Sequence, residues 1–290
     1  MAEFLQHLLN ALILGGTYAL LGIGLTLIFG IMKVVNFTHG ELYTFGAYMV
    51  FFFVMVLGVN FFVGIAAAMI LGIVLGALIE FVLLRPLRGA SIDTTMLVMI
   101  GAWIALQNLE QFTWSGIAKS IDHPFPVEPL VLGAVSVSWI RIFVFLFALT
   151  LIAGTYFLIN RTKLGKAMRA TFQDRDTAAL MGVNINHICT ATFALGSSLA
   201  AAAGALLGPV FIVMPTMGDG AALKAFAIVI LGGLGSIIGA TVGGFILALV
   251  EELGAGYISS GYRDAMGFGL IIIILVYKPT GLFALKERIG

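Results

Sequence analysis

The sequence has little charge and almost no cysteine. Of its 290 residues only 10% are Asp, Glu, Lys or Arg, and one, Cys189, is a cysteine. A soluble domain carries about 25% charged residues, so the composition excludes an ordinary soluble fold. A lone cysteine excludes an internal disulfide and a cysteine-based zinc cluster. The net charge of +1 gives no basic field of the kind that nucleic-acid-binding proteins use.

Signatures of enzyme chemistry are missing as well. The four histidines have no metal-ligand spacing, and no serine stands in a GxSxG context. No GxxxxGK[ST] phosphate-binding loop occurs, so any ATP hydrolysis must be carried out by another chain. Glu251 and Glu252 are adjacent carboxylates at the end of an apolar run, where we expect a solvated helix end. The sequence therefore predicts no enzyme, no cofactor and no metal site.

What the sequence does contain is a succession of long apolar segments. Hydrophobic residues make up 61% of the chain, and uncharged stretches such as 4–32 and 42–79 exceed the roughly 20 residues that a helix needs to span a bilayer. These stretches do not alternate in polarity, so they predict helices and not barrel strands. We expect an all-α polytopic membrane protein with about eight hydrophobic segments in one domain, residues 1–290.

Residues 161–186 are the one long polar interruption, and they set the expected topology. They contain five of the 15 basic residues, which places them on the cytoplasmic side. They separate a first half, about 1–160, from a second half, 187–290. Lys278, Lys286 and Arg288 indicate a cytoplasmic C-terminus, which leaves the N-terminus outside. The proline-containing loop 113–138, bracketed by Trp114 and Trp139 as interfacial anchors, is predicted to be external.

Two segments interrupt the helical pattern and are candidates for a transport site. The first is residues 36–41. Its polar groups either face a cavity or a partner, or they form a short cytoplasmic turn in which Asn36 or Thr38 caps the next helix. In the second, residues 232–236, glycines divide the apolar segment 225–250 into two short or re-entrant helices. Broken helices near the midplane are a recurring way to build a transport site.

Within the cytoplasmic loop the pattern predicts a short helix from Ala167 to Met181, ended by Gly182 in the left-handed conformation. Apolar side chains stand among its charges; these are Met168, Phe172, Ala178, Ala179 and Leu180. Such a helix either lies on anionic lipid or docks on a soluble partner. Residue chemistry alone leaves both readings open.

Three stretches carry a family resemblance. They are GGTYALLGIGLTLIFGIMKVVNFTHGELYTFGAYM at 15–49, LGKAMRATFQDRDTAALMGVNIN at 164–186 and KAFAIVILGGLGSIIGATVGG at 224–244. Together they resemble the LivH-type permeases of branched-chain amino acid ABC importers, and the likeness extends over nearly the whole chain. Thr38 is a departure, because the family often has alanine at that position.

The resemblance implies a type II importer permease with inverted halves in a bacterial inner membrane. It implies a second, LivM-like permease, two cytoplasmic ATP-binding subunits and a periplasmic substrate-binding protein as partners. The coupling helix that seats in the ATPase would be 169–182, with Arg169, Asp174, Asp176, Ala179 and Gly182. The residues beside the translocation path would be Asn36, Thr38, His39, Gly40, Glu41, Gly232, Gly233, Gly235 and Ser236.

An alternative function is an ion-gradient-driven secondary transporter or channel for a small polar solute. It would need buried coupling carboxylates, and Glu41 and Asp219 are the plausible ones near broken segments. Urea or amide importers of the same ABC type are a further alternative. The identity of the solute does not follow from the sequence, because in this resemblance the binding protein does most of the selection.

Overall fold

The computed structural model describes residues 2–133 and 135–283, so the predicted cytoplasmic residues Lys286 and Arg288 lie outside the described residues. The helices are α1 Ala2–Met32, α2 His39–Phe51, α3 Phe61–Ile79, α4 Ile92–Trp114, α5 Trp139–Arg161, α6 Lys163–Gln173, α7 Arg175–Leu180, α8 Ile185–Leu207, α9 Met217–Gly232, α10 Ile237–Tyr257 and α11 Arg263–Tyr277. Short π-helical turns, Phe52–Val56 and Glu80–Leu84, extend α2 and α3, and a 3-10 turn, Ser260–Tyr262, precedes α11.

Among the residues that the structure describes, eight helical segments are long and apolar enough to cross a membrane, which confirms the all-α polytopic prediction. The eight are the segments that begin at residues 2, 39, 61, 92, 139, 185, 237 and 260. Helix α9 is an additional element, and its 16 residues fall short of a full crossing. The apolar segment 225–250 is divided at the predicted break, and α9 is short as predicted. The prediction of a second short helix is wrong, because α10 has 21 residues and is long enough to span a membrane.

A two-stranded antiparallel hairpin, β1 Leu130–Leu132 with β2 Val135–Val137, marks one end of the molecule. Gln6 near the start of α1 donates to and accepts from the backbone of Ser136 in this hairpin, at 2.9 Å in both cases. The other end of α1 contacts α6, where Gly30 lies beside Phe172. The N-terminal end of α1 and the basic loop therefore lie at opposite ends, as the predicted topology requires.

Close packing of small residues holds the central helices together. Ala200 and Ala203 of α8 are fully buried, and a side chain added at Gly46 of α2 would meet the backbone of Ala201. A side chain at Gly72 of α3 would meet the same alanine. Lipid tails are as apolar as the helix surfaces, so close van der Waals contact of this kind is what draws membrane helices together.

The adjacent carboxylates Glu251 and Glu252 are buried, so the expectation of a solvated helix end is wrong. Lys224 of α9 forms an ion pair with Glu251 at 2.8 Å, and Arg263 at the start of α11 forms one with Glu252. The hydroxyl of Tyr18 in α1 donates to the same carboxylate oxygen as Lys224, Glu251 Oε2, at 2.8 Å. These bonds tie α10 to three other helices, which explains why charge is tolerated there.

Candidate functional site

The polar side chains of residues 36–41 are buried, so the alternative of an exposed, capped cytoplasmic turn is wrong. Asn36, Thr38, His39 and Glu41 have no solvent-exposed surface. The Asn36 Oδ1 atom accepts from the amide of Thr38 at 3.1 Å and from its hydroxyl at 2.6 Å. Neither side chain bonds to the first turn of α2, whose N-terminus has no side-chain cap. The local bonds hold the connecting segment together and leave the start of the helix free.

His39 shows how far this segment returns into the protein. Its Nε2 donates to the backbone carbonyl of Leu21 at 3.0 Å. With a rise of 1.5 Å per residue, Leu21 lies about 16 Å along α1 from its end at Met32. Residues 33–38 therefore carry the chain from the C-terminal end of α1 back to its middle, and α2 begins in the interior of the helical bundle.

A second helix begins at the same place. Helix α8 ends at Leu207, residues 208–216 follow, and α9 starts at Met217. A side chain added at Gly40 would meet the backbone of Gly218, and one added at Gly218 would meet the backbone of Gly40. The first turns of α2 and α9 are thus in direct contact. The segment 36–41 therefore contacts the first turn of α9, and not the glycine segment 232–236, in the interior of the protein.

Helix α4 covers this meeting point with polar side chains. Trp103 Nε1 donates to Glu41 Oε1 at 3.0 Å, and Gln107 Nε2 donates to Asp219 Oδ1 at 2.8 Å. One turn further along, Glu110 is buried, and its carboxyl is close enough to Glu41 for the two charges to interact. The site therefore combines carboxyl groups from α2, α4 and α9.

The glycine segment 232–236 lies elsewhere. Gly235 has a φ of +82° and lies against the ring of Phe172 in α6, and it is also beside Gly30 near the end of α1. Gly30 is about 14 Å along α1 from Leu21, at 1.5 Å per residue. The structure therefore does not bring Gly232, Gly233, Gly235 and Ser236 together with the residues of the first break. The turn at Gly235 lies against the loop 161–186, which is predicted to be cytoplasmic.

The predicted single helix 167–181 is wrong, because the loop contains two helices, α6 and α7. Asp174 separates them: its Oδ1 accepts from the amides of Asp176 and Thr177 at 3.0 and 3.1 Å, and its Oδ2 accepts from the Thr177 hydroxyl at 2.5 Å. The Thr177 hydroxyl and these amides lower the pKa of the Asp174 carboxyl. The predicted stop is confirmed, since Gly182 has a φ of +85° directly after Met181.

The apolar side chains of the loop point in two directions. Met168 and Ala178 are buried and Phe172 packs against the helical bundle, so these three do not form an outer surface. Leu180 and Met181 are 88% and 81% exposed. Of the predicted coupling residues, Asp174, Asp176, Ala179 and Gly182 are exposed, while Arg169 is exposed but donates to Asn160 Oδ1 at 2.8 Å.

Sequence reasoning missed the polar side of α4 and the true start of α9. Trp103, Gln107 and Glu110 are spaced on one face of a helix, a pattern that could have indicated an inward polar stripe. Pro209 and Pro215 could have indicated that α8 ends before residue 213, where the apolar run was expected to end. Within residues 2–133 and 135–283 there is no group of His, Cys, Asp and Glu that could hold a metal ion.

Residues 7–275 match the family model described as branched-chain amino acid transport system, permease component. The chain is 35% identical to the high-affinity branched-chain amino acid transport system permease protein BraD of Pseudomonas aeruginosa, over 98% of this chain and 97% of that protein. It is 34% identical to the permease protein LivH of the corresponding high-affinity system of Escherichia coli K12, over 98% and 96%.

A protein of Methanocaldococcus jannaschii, described as a probable branched-chain amino acid transport permease protein LivH, is 29% identical over 95% of this chain and 89% of its own length. No solved structure matches. The match to the family model and the two bacterial relatives span nearly all of the chain, including both interior helix starts and the cytoplasmic loop. The chain is a multi-pass inner-membrane protein and belongs to the family of permease components of branched-chain amino acid transport systems.

Proposed function

We propose that this protein is the permease subunit of an ATP-driven importer of branched-chain or related amino acids. In the proposed assembly it pairs with a second, LivM-like permease, two cytoplasmic ATP-binding subunits hydrolyse ATP, and a periplasmic binding protein delivers the amino acid. The relatives belong to high-affinity branched-chain amino acid transport systems, which supports the solute class. We further propose that the two halves form one domain, because α1 of the first half packs against α8 and α10 of the second.

The observation that carries this proposal is the exposed apolar tip of a charged cytoplasmic loop. Leu180 and Met181 project from the end of α7 almost fully exposed, although the loop carries five of the 15 basic residues. Exposed apolar groups with a polar rim are typical of protein interaction sites. The lipid-bound alternative is less well supported, because the apolar side of α6, with Met168 and Phe172, packs on the protein.

The loop also has a route to the interior site. Phe172 of α6 contacts the turn at Gly235 and the end of α1 at Gly30. This turn joins α9 to α10, and Gly218 in the first turn of α9 lies beside Gly40. Movement of a docked ATPase would therefore be transmitted through Phe172 to α9. For ATP to change the side to which the path opens, the docking energy must differ between the two states of the permease.

We therefore propose different roles for the two predicted groups of path residues. Asn36, Thr38, His39, Gly40 and Glu41 lie where two interior helices begin, so we place the translocation path along this side of the subunit. The segment with Gly232, Gly233, Gly235 and Ser236 contacts the loop, so we propose that it transmits coupling. The loop residues Arg169, Asp174, Asp176, Ala179 and Gly182 remain the proposed ATPase contact.

A pair of matched substitutions tests the docking proposal. Leu180→Asp places a charge on the exposed tip, and Val127→Asp places one on a residue that is 91% exposed in the predicted external loop. In the co-expressed complex, Leu180→Asp should reduce the amount of ATPase that co-purifies at least tenfold and should abolish ATP-dependent leucine uptake. Val127→Asp should leave both unchanged.

Equal recovery of ATPase with both variants would contradict docking at this tip. The charge-reversed pair Arg169→Glu with Asp176→Lys should also lose ATPase association. Since Arg169 donates to Asn160, the milder variant Arg169→Gln is the control that separates disruption of the loop from loss of a partner contact.

A further inference from the structure

Three carboxyl groups in the membrane-embedded part of the protein have no positively charged partner. Glu80 is paired with Arg88, Glu251 with Lys224, and Glu252 with Arg263 and His7. Within the described ranges, 2–133 and 135–283, no Lys, Arg or His forms an ion pair with Glu41, Glu110 or Asp219. Glu41 and Asp219 stand in the first turns of α2 and α9, which contact each other at Gly40 and Gly218. Glu110 lies on the same face of α4 as the two donors to these carboxyls.

The groups around these carboxyls leave several oxygens unused. The Oε2 atoms of Glu41 and Glu110 are buried and have no hydrogen-bond partner among the described residues. The hydroxyl of Tyr48, outside the acidic cluster, is also fully buried and without a partner, and it lies close enough to Glu110 to interact with its charge. Burying a carboxylate without a partner costs roughly several kcal/mol of stability. A proton or a cationic ligand would relieve this cost.

The helix ends indicate which of the carboxyls carry charge. Glu41 stands in the first turn of α2 and Asp219 in the first turn of α9, where the helix dipole stabilises a negative charge. Neither N-terminus has a side-chain cap. Glu110 stands near the C-terminal end of α4, where the dipole disfavours a negative charge. Glu41 and Asp219 are therefore the anionic pair, and Glu110 is the group suited to hold a proton.

The cover over this pair is loosely attached. Along α4, which is described in full, only Thr95, Met99 and Glu110 are buried. Its two polar donors, Trp103 and Gln107, are the groups that bond to Glu41 and Asp219. Both donors are neutral N–H groups. A ligand that presented several N–H donors together with a positive charge would satisfy the same oxygens better than α4 does.

We propose that Glu41 and Asp219 bind the α-ammonium group of the transported amino acid, and that Trp103 and Gln107 of α4 occupy this position when the site is empty. This inference rests on the proposed function of amino acid import. An outward shift of α4 would expose the two carboxylates, and the ammonium group would replace the two neutral donors. Glu110, bearing a proton, would supply a further polar contact beside Glu41.

The first test uses neutral, nearly isosteric variants in the complete complex, reconstituted in vesicles with its binding protein and ATPases. Glu41→Gln and Asp219→Asn keep an acceptor for Trp103 and Gln107 but remove the charge. Each should lower leucine uptake at least tenfold while the amount of ATPase that co-purifies shows that the complex still assembles. Glu128→Gln, an exposed carboxylate in the predicted external loop, is the matched control and should transport normally.

The second test needs no variant, so it remains decisive if the neutral variants do not assemble. Binding of 3-methylbutylamine and of 4-methylpentanoate to the purified wild-type complex is measured by equilibrium dialysis. These probes are leucine without its carboxylate and without its ammonium group. The amine should bind at least tenfold more tightly.

Three results would overturn the inference. The first is equal binding of the acid and the amine, and the second is normal uptake by the neutral variants. The third is a proton movement that accompanies uptake in the wild type and is lost in those variants, which would make the cluster a proton site. Failure of the proposed function is a different result, because the wild-type complex would then show no ATP-dependent leucine uptake at all.

Discussion

Lys224 is the residue whose removal should destabilise the fold most clearly. Its ammonium group lies 2.8 Å from Glu251 Oε2, 2.7 Å from the Tyr18 hydroxyl and 3.1 Å from Asp264 Oδ1. Lys224→Met keeps the length and the apolar stem but removes the charge. Glu251, which is 2% exposed, then keeps the Tyr18 hydroxyl as its donor. Asp264 is largely exposed and remains solvated.

Removing one partner of a buried ion pair costs about 3–5 kcal/mol, because the other charge stays buried without compensation. Folded proteins are stable by only about 5–15 kcal/mol. We therefore expect Lys224→Met to lose a large fraction of the free energy of unfolding. Adding Glu251→Gln removes the stranded charge and leaves a neutral acceptor for Tyr18, so the double variant should be destabilised by only about 1–2 kcal/mol.

The assay is denaturant unfolding of the purified protein in detergent, followed by circular dichroism. Lys166→Met is the control, since Lys166 is exposed on α6, and surface changes of this kind stay within about 0.5 kcal/mol. The reasoning is refuted if Lys224→Met is as stable as Lys166→Met. It is also refuted if Glu251→Gln adds to the loss caused by Lys224→Met.

Three further predictions follow from the glycine contacts and the loop cap. Gly204→Val should lower the free energy of unfolding by about 1–3 kcal/mol, because the new side chain would meet the Tyr43 backbone. Gly154→Val on α5 has open space around it and should leave the free energy of unfolding unchanged in the same assay. Gly235→Leu should reduce both uptake and ATPase co-purification, because the new side chain meets Phe172 and the residue has a φ of +82°; Gly269→Leu is the control with open space. Loss of uptake with intact ATPase association would show that the turn is independent of the loop. Asp174→Ala should weaken ATPase binding, while Asp174→Ser, which can still cap α7, should retain it. The pKa of the Asp174 carboxyl is lowered in the folded protein, so the cap persists above the ordinary Asp pKa and is lost as pH falls through the lowered value. ATPase binding measured against pH would show this loss.

The membrane helices could be predicted from the sequence because each contains a long apolar stretch with few charges. The division at Gly232–Ser236 followed from charge parity, and the helix stop at Gly182 from the conformational freedom of glycine. These features depend on local composition. They need no knowledge of which helices are neighbours.

The interior site could not be predicted, because it depends on contacts between distant segments. Glu41, Gln107 and Asp219 come from three helices, and no spacing within the sequence indicates that they meet. The loop was predicted as one helix because its helical period is continuous, but the Asp174 side chain bonds to the next turn and ends α6. Glu251 was assigned to solvent because its partner Lys224 lies on another helix.

The central claim is that this permease imports amino acids with energy from partner ATPases. The most direct measurement is uptake of labelled leucine into vesicles that hold the permease pair and the ATPases. The binding protein is added on the side of the membrane from which the substrate enters. We predict uptake that requires both ATP at the loop side and the binding protein, and that persists when proton and sodium gradients are collapsed. Uptake that continues without ATP or the ATPases, driven by an ion gradient, would contradict the account.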